Sequence, residues 1–333
     1  MADLPTLAQV AAVAGVSPAT ASRVLTGSVR VSTSTRRQVH DAMSRLGYVR
    51  RRAPRGASPR RSDRIVAAVV CEQTHRLFSE PFYARLLAAA DDVLAKHGIP
   101  LMIMTATAAT STIAAPPLVA GTVDGVLLIG ARSRHPLAVT LAASGITVRC
   151  VGRPPDGVDL PYVDMDNADG ARQAAEHFLL QGRRHIAMIA GPPTLPAARD
   201  RIEGFRRTLQ NAGIIDIPVA YGDFTHASGA HAMQWLLQRS PNLDAVFVGS
   251  DVMAAGAMQT LKRAGRKVPD DVAVIGFDDA PIAKHTSPPL TTVRQPVEEF
   301  AATAARMLLM TLTTETVGEN PILPTELVVR GSA

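Results

Sequence analysis

Several side chains in this sequence have types and positions that can do chemistry. Asp278 directly follows the apolar run 271–277 (DVAVIGF), so it stands at the C-terminal end of a buried strand, where open α/β sheets bind their ligands. Its carboxylate can accept two hydroxyl hydrogen bonds, and Asp279 beside it competes for the same role. Arg132 and Arg153 come just after two similar runs, 124–130 and 146–151, and bring positive charge to the same end. Asp164 and Asp166 alternate along the strand-like segment 162–166 and so share a face, a placement that resembles a catalytic carboxylate pair. Residues 50–64 hold seven arginines, a segment that suits a polyanion.

Signals of enzyme chemistry are otherwise missing. The sequence has no G-x-S-x-G elbow, no phosphate loop of the form G-x-x-x-x-G-K-[ST] and no G-x-G-x-x-G fingerprint. Its nine histidines show no metal-ligand spacing with cysteine or carboxylate, so neither a metal nor another cofactor is expected.

Length and charge organise the rest. A chain of 333 residues is long enough for a large core and more than one domain. With 47% hydrophobic and 19% charged residues the body is globular, and 4% aromatics argues against a base-stacking nucleic-acid platform. The net charge of +6 is uneven: residues 1–64 carry twelve arginines against three aspartates, +9, and the remainder carries −3. A basic head on a near-neutral body points to a head that meets a polyanion. Cys71 and Cys150 lie in apolar runs and read as buried free thiols. The N-terminus has no signal-peptide pattern and no apolar stretch reaches membrane-spanning length, so a soluble cytoplasmic protein is expected.

Three short helices open the chain. Thr6 and Gln9 have capping-box spacing, and Gly15 ends the first helix. Ser17 and Pro18 start a second at N-cap and N1, running to about Leu25. Ser32 caps a third, with Val39, Met43 and Leu46 at helical spacing and Gly47 after it. From Ile65 onward short apolar runs alternate with amphipathic helices in two successive series, which predicts two doubly wound α/β subdomains with a ligand cleft between them. The first two helices, joined across residues 15–17, have the spacing of a helix-turn-helix, whose second helix reads base edges in the major groove.

Residues 6–48 resemble, without a gap, the headpiece of the lactose/galactose repressor (LacI-type) family. The resemblance continues through VDMDNADGARQAAEHFLLQGRRHIAMIAGP, RDRIEGFRRTL, VGSDVMAAGAM, VAVIGFDDAPIAKHTSPPLTTVRQP and LPTELVVRGS, and is weakest at 50–62 and 107–121. It implies a DNA-binding repressor with a periplasmic sugar-binding-protein-like core. Pro18 and Ala19 match positions that read operator bases; neither can donate a hydrogen bond, so readout there is apolar contact. Ser22 and Arg23 fall on the next turn, with Arg23 the candidate for a bidentate guanine contact. Thr6, Ser17, Thr20, Ser32, Thr35 and Tyr48 match phosphate-touching positions, and Thr26 and Arg30 are also assigned to DNA.

In the core the resemblance implies effector contacts from Arg201 in R-x-x-G-F, from Phe224 in Gly222-Asp223-Phe224, and from Ser250 where the family often has an amide. Phe82 is expected on the opposite wall, and Asp169 and Gln295 near the crossovers. With Arg132, Arg153 and Asp278 these form the expected effector set.

The linker departs from the family pattern of a hinge helix whose leucine wedges into the minor groove. Ala57 occupies the leucine position, and Pro54 and Gly56 lie inside the would-be helix. Arg51 and Arg52 are expected to compensate through phosphate or minor-groove contacts, and a helix starting at Pro54 is the alternative.

The expected organisation is a headpiece at 1–49, an arginine-rich linker at 50–64 and a core at 65–333. In the core, an N-subdomain spans about 65–164 and 295–322, and a C-subdomain about 165–294 and 323–330. The expected function is a ligand-responsive repressor that binds a palindromic operator on double-stranded DNA as a homodimer, with a sugar-like effector in the cleft. The sequence ends just after the last core strand, so the helical extension of tetrameric members is not expected. A solute-binding receptor of the same core fold is the alternative; it leaves the basic head unexplained.

Overall fold

The computed structural model describes residues 6–25, 32–46, 64–314 and 318–333. The chain divides into two compact units, Met1–Pro59 and Arg60–Ala333, each taken by itself below.

In the first unit α1 (Leu7–Val13) begins at a complete capping box, with Thr6 Oγ1 accepting from the Gln9 amide and the Gln9 side chain accepting from the Thr6 amide. Gly15, at φ +66, makes the turn. At the start of α2 (Pro18–Leu25) Ser17 Oγ accepts from the Thr20 amide at 3.1 Å. At α3 (Thr33–Leu46) Ser32 Oγ does the same for Thr35 at 3.2 Å. Val10, Ala11, Ala21, Val24, Val39 and Ala42 form a small shared core. It holds α2 across α1 and α3 while Pro18 and Ala19 remain exposed.

The second unit has two lobes, each built on a six-stranded sheet. The first lobe comprises β1 (Val66–Val70), β2 (Leu101–Thr105), β3 (Gly125–Ile129), β4 (Thr147–Val151), β5 (Tyr162–Met165) and β11 (Ile322–Leu323), all parallel, in the order β11-β5-β4-β3-β1-β2. Its helices are α4 (Thr74–Ser79), α5 (Pro81–Ala95), α6 (Ser111–Val119), α7 (Pro136–Ser144) and α12 (Val297–Thr314). The second sheet, β12-β10-β9-β8-β6-β7, holds β6 (Ile186–Ala190), β7 (Val219–Tyr221), β8 (Ala245–Val248), β9 (Ala273–Asp278), β10 (Thr291–Arg294) and β12 (Glu326–Val328). Only β12 runs antiparallel, against β10. Its helices are α8 (Asn167–Leu180), α9 (Pro196–Asn211), α10 (His226–Arg239) and α11 (Asp251–Arg263).

The central strands β1, β3, β6 and β8 are apolar throughout because both sheet faces are covered. Along β1, Val66, Ala68 and Val70 enter the core under α5 and α12, while Ala67 and Val69 enter the core under α6 and α7. The second sheet buries a run of rings: Phe205 of α9 stacks on Phe247 of β8 at 4.8 Å, and Phe277 of β9 lies 6.2 Å beyond. α9 packs tightly on α8 because position 204 is glycine; a Cβ there would stand 2.2 Å from the Ala168 carbonyl oxygen.

The chain crosses between lobes at β5–α8, β10–α12 and β11–β12. The first sheet takes Met165 and Leu323, one residue beyond the division expected at those crossings. The last residues belong to the second lobe past position 330: Ser332 Oγ donates to Val274 O at 2.6 Å and accepts from the Thr291 amide at 2.8 Å. All three crossings lie at one edge of the sheets, and strand C-termini from both lobes converge on the space between them.

Candidate ligand-binding site and DNA-reading helix

A cavity lined by both lobes occupies that space. The second lobe supplies Arg201, Phe224, Ser250 and Asp278; the first supplies Arg76, Glu80, Phe82, Tyr83, Arg153 and Asp164, and Gln295 comes from the β10–α12 crossing.

Arg201 is the most buried of its arginines. α9 carries it in the second turn with Phe205 and Leu209 buried in the core, and the guanidinium lies under the cavity floor, 7% exposed. Nε donates to Asn167 Oδ1 at 2.9 Å and Nη1 to the Gly249 carbonyl at 2.7 Å. The plane lies over the Phe277 ring at 3.6 Å, and Asp278 Oδ1 is 3.8 Å away. Burial lowers the Arg201 pKa, while Asp278, Asp164 and Asp251 oppose that shift.

Asp278 ends β9 in the left-handed region at φ 112, and Asp279 follows at φ 49. Two consecutive non-glycine residues in that region store strain at the sheet end. The two side chains have different partners. Asp279 turns away to pair with Arg294 at 2.8 Å and Arg330 at 2.5 Å, a structural anchor. Asp278 faces the cavity, where Gln295 Nε2 donates to its Oδ1. Burial raises the Asp278 pKa, and Arg201 works against it. Behind it Asp251 is fully buried, held by Thr292 Oγ1 at 2.5 Å and the Ala280 amide at 2.7 Å. Its pKa is also raised, by burial and then by the Asp278 charge.

Ser250 lines the cavity, but its Oγ caps α11 by accepting from the Met253 amide at 3.3 Å. Phe224, at φ 73, lays its ring over Gly191, where a Cβ would stand 2.2 Å from Cζ. Phe82 contacts Tyr83 edge-on at 5.5 Å. Arg153 lies 3.5 Å from Asp164 on its own lobe and 3.5 Å from Asp200 on the other.

Two expected residues are not part of this lining. Arg132 pairs with Glu72 at 2.5 Å and turns into a neighbouring cavity; its strand-end position brings it to the cleft but not to this side of it. Asp169 sits on the outer side of α8, bonded to Arg172 at 2.6 Å and Gln173 at 2.7 Å. Conversely, Arg76, Glu80, Tyr83 and Asn167 line the cavity without having been anticipated. Asn167 carried a readable signal, as the first residue after the 162–166 crossover strand; Arg76, on a six-residue helix, carried none. Asp164 reaches the cavity, whereas Asp166 caps α8 by accepting from the Asp169 amide.

In the head, Pro18 and Ala19 are exposed at the start of α2 and Thr20 and Ser22 follow on the same helix. Thr6, Ser17 and Ser32 each cap a helix, and the Thr35 amide is the donor at the third. Thr26, Arg30, Tyr48, Arg51, Arg52 and Ala57 lie outside the described residues, as does the Arg23 side chain. Among the described residues no group of His, Cys, Asp and Glu is placed to hold a metal ion, and no helix is long and apolar enough to cross a membrane.

A helix-turn-helix unit and a two-lobed α/β core with a cavity between its lobes define a DNA-binding transcription regulator. The match to bacterial regulatory proteins of the lacI family covers residues 6–51, and that to the periplasmic binding protein-like domain covers 175–333. The HTH-type transcriptional regulator CelR of Thermobifida fusca is 42% identical over 98% of both chains, and the HTH-type transcriptional repressor CytR of Escherichia coli K12 is 32% identical over 98% of this chain and 96% of its own. A solved CelR–cellobiose complex superposes with a TM-score of 0.79 at 41% identity, covering 99% of this chain and 100% of that one. A lac repressor dimer bound to operator and the anti-inducer ONPF gives 0.74 at 27% identity, covering 99% of each. The chain belongs to the lacI family.

Proposed function

We propose that this regulator binds a neutral saccharide between its lobes and that occupancy sets its affinity for a palindromic duplex operator. The observation that carries the ligand class is the charge balance of the cavity. Its three arginines, Arg76, Arg153 and Arg201, are matched by three carboxylates, Glu80, Asp164 and Asp278, and each arginine lies within 3.8 Å of one of them. A phosphate or carboxylate ligand would meet carboxylates as well as guanidinium groups. A polyol can donate to the carboxylates and accept from the arginines at once, and Phe82, Tyr83, Phe224 and Phe300 offer apolar ring surface. The CelR–cellobiose complex makes cellobiose the first compound to test.

Half-site reading by two recognition helices requires a two-fold dimer. The free edges opposite the crossings, β2 and β7, carry exposed Ile103 and Tyr221, and α4 and α6 beside them carry exposed Phe78 and Ile113. This face is the proposed homodimer contact. The effector acts by differential affinity for two arrangements of the lobes.

The test is calorimetry with cellobiose, glucose, glucose 6-phosphate and a nucleoside on the full chain. A neutral saccharide is expected to bind at least about tenfold more tightly than the phosphate, a difference of 1.4 kcal/mol. Preference for the phosphorylated sugar overturns the reading.

A further inference from the structure

We infer that Asp164 determines saccharide specificity, with its carboxylate Oδ2 accepting a hydrogen bond from a ligand hydroxyl on the first lobe's wall. The inference rests on the saccharide reading above. Asp164 is 2% exposed and lines the cavity. Its Oδ1 accepts from the Met165 amide at 2.9 Å. Its Oδ2 is buried with no hydrogen-bond partner, the only carboxylate oxygen so placed among the described residues. Arg153 Nε stands 3.5 Å away, an ion-pair separation shared with Asp200 on the other lobe.

A buried carboxylate with a purely structural role has both oxygens engaged, since an unsatisfied one keeps its full desolvation cost. The neighbouring aspartates follow that rule. Asp251 is held by Thr292 and the Ala280 amide, and Asp279 by Arg294 and Arg330. Asp164, a residue of the cavity wall, departs from it at Oδ2. A hydroxyl donating to Oδ2, with an adjacent hydroxyl accepting from Arg153, would satisfy both groups. The first lobe would then read a diol with Asp164 and Arg153, as the second would with Asp278 and Arg201.

The experiment is a binding cycle by calorimetry with the full chain, using cellobiose and its monodeoxy analogues against wild type, Asp164→Ala and Asp164→Asn. In wild type, one analogue is expected to lose about ten- to hundredfold relative to cellobiose. Asp164→Ala should weaken cellobiose by a similar factor and show no further loss with that analogue, while the other analogues lose what they lose in wild type. Thermal melting checks that the variants fold; if the alanine variant does not, the asparagine variant carries the same cycle. Cellobiose binding unchanged in the Asp164 variants, or equal losses for every analogue in variant and wild type, overturns the inference alone. A wild-type chain that binds none of the saccharides overturns it together with the saccharide reading.

Discussion

Arg201 and Asp278 face each other beneath the cavity, Nη1 to Oδ1 at 3.8 Å, with the guanidinium stacked on Phe277, the residue just before Asp278. One helix and one strand end thus converge on a single charged pair. Neither partner is placed by the other alone. Arg201 is also tied to Asn167 and Gly249, and Asp278 to Gln295. The network draws on α9, the start of α8, the loop after β8 and the β10–α12 crossing. A change in lobe angle therefore bears on residues that line the ligand cavity.

Replacing Arg201 by alanine should abolish saccharide binding, with at least about a hundredfold loss, and destabilise the core by about 3 kcal/mol through the uncompensated Asp278 charge. Lysine keeps the charge but not the fork or the stacking, so Arg201→Lys should restore stability better than affinity. Calorimetry and chemical denaturation on the two variants separate these effects.

Gly204, in the same R-x-x-G-F pattern, should behave differently. Gly204→Ala drives a Cβ into the Ala168 carbonyl and is expected to cost about 1–3 kcal/mol by forcing α8 and α9 apart. The denaturation midpoint should fall. An unchanged midpoint contradicts the packing argument.

Asp164 gives a pH-dependent signature. Burial pushes its carboxyl up to about 6, against the Met165 amide and Arg153, while in the unfolded chain it titrates near an ordinary aspartate, about 4. Between these values the folded state holds more protons, so this group's contribution to stability is fully present below about pH 4 and lost as pH rises through 6. Asp164→Asn should therefore be more stable than wild type at pH 7.5, by about 2–3 kcal/mol at most, with the difference closing as pH falls toward 4. Melting curves of both proteins without ligand across that range check it.

Much of this was readable beforehand because it is local. The head's caps depend on Thr6, Ser17 and Ser32, each acting within three residues, and the buried strands of both lobes stand out as short apolar runs. The short strands were not readable: β7 has three residues and β11 two, and their register comes from neighbours distant in sequence. α6 was hidden because Pro116 and Pro117 lie inside it. For the site, a strand-end position told which residues approach the cleft but not which direction they take. Arg153 stands two residues past the end of β4 and Arg132 three past the end of β3, so both reach the strand ends. Asp164 and Asp200 keep the first at the cavity, while Glu72 draws the second aside.

On the DNA side, Ala19 is exposed in the first turn of α2 and contributes nothing to the head's core. Ala19→Asp should leave melting unchanged and weaken binding to random duplex at low salt by at least about tenfold, because the new carboxylate meets phosphates. Equal binding by the two proteins contradicts the assignment of α2 as the reading helix.

The most direct test of the whole account is a fluorescence-anisotropy titration of the full chain on a palindromic duplex selected from a random pool, with and without cellobiose, for wild type and Arg201→Ala. The wild-type Kd for duplex should shift by about 5- to 150-fold on adding the saccharide, and the Arg201→Ala value should not move. A wild-type Kd that ignores a saccharide bound in the cavity, or a variant that responds as wild type does, would contradict the link between cavity and DNA.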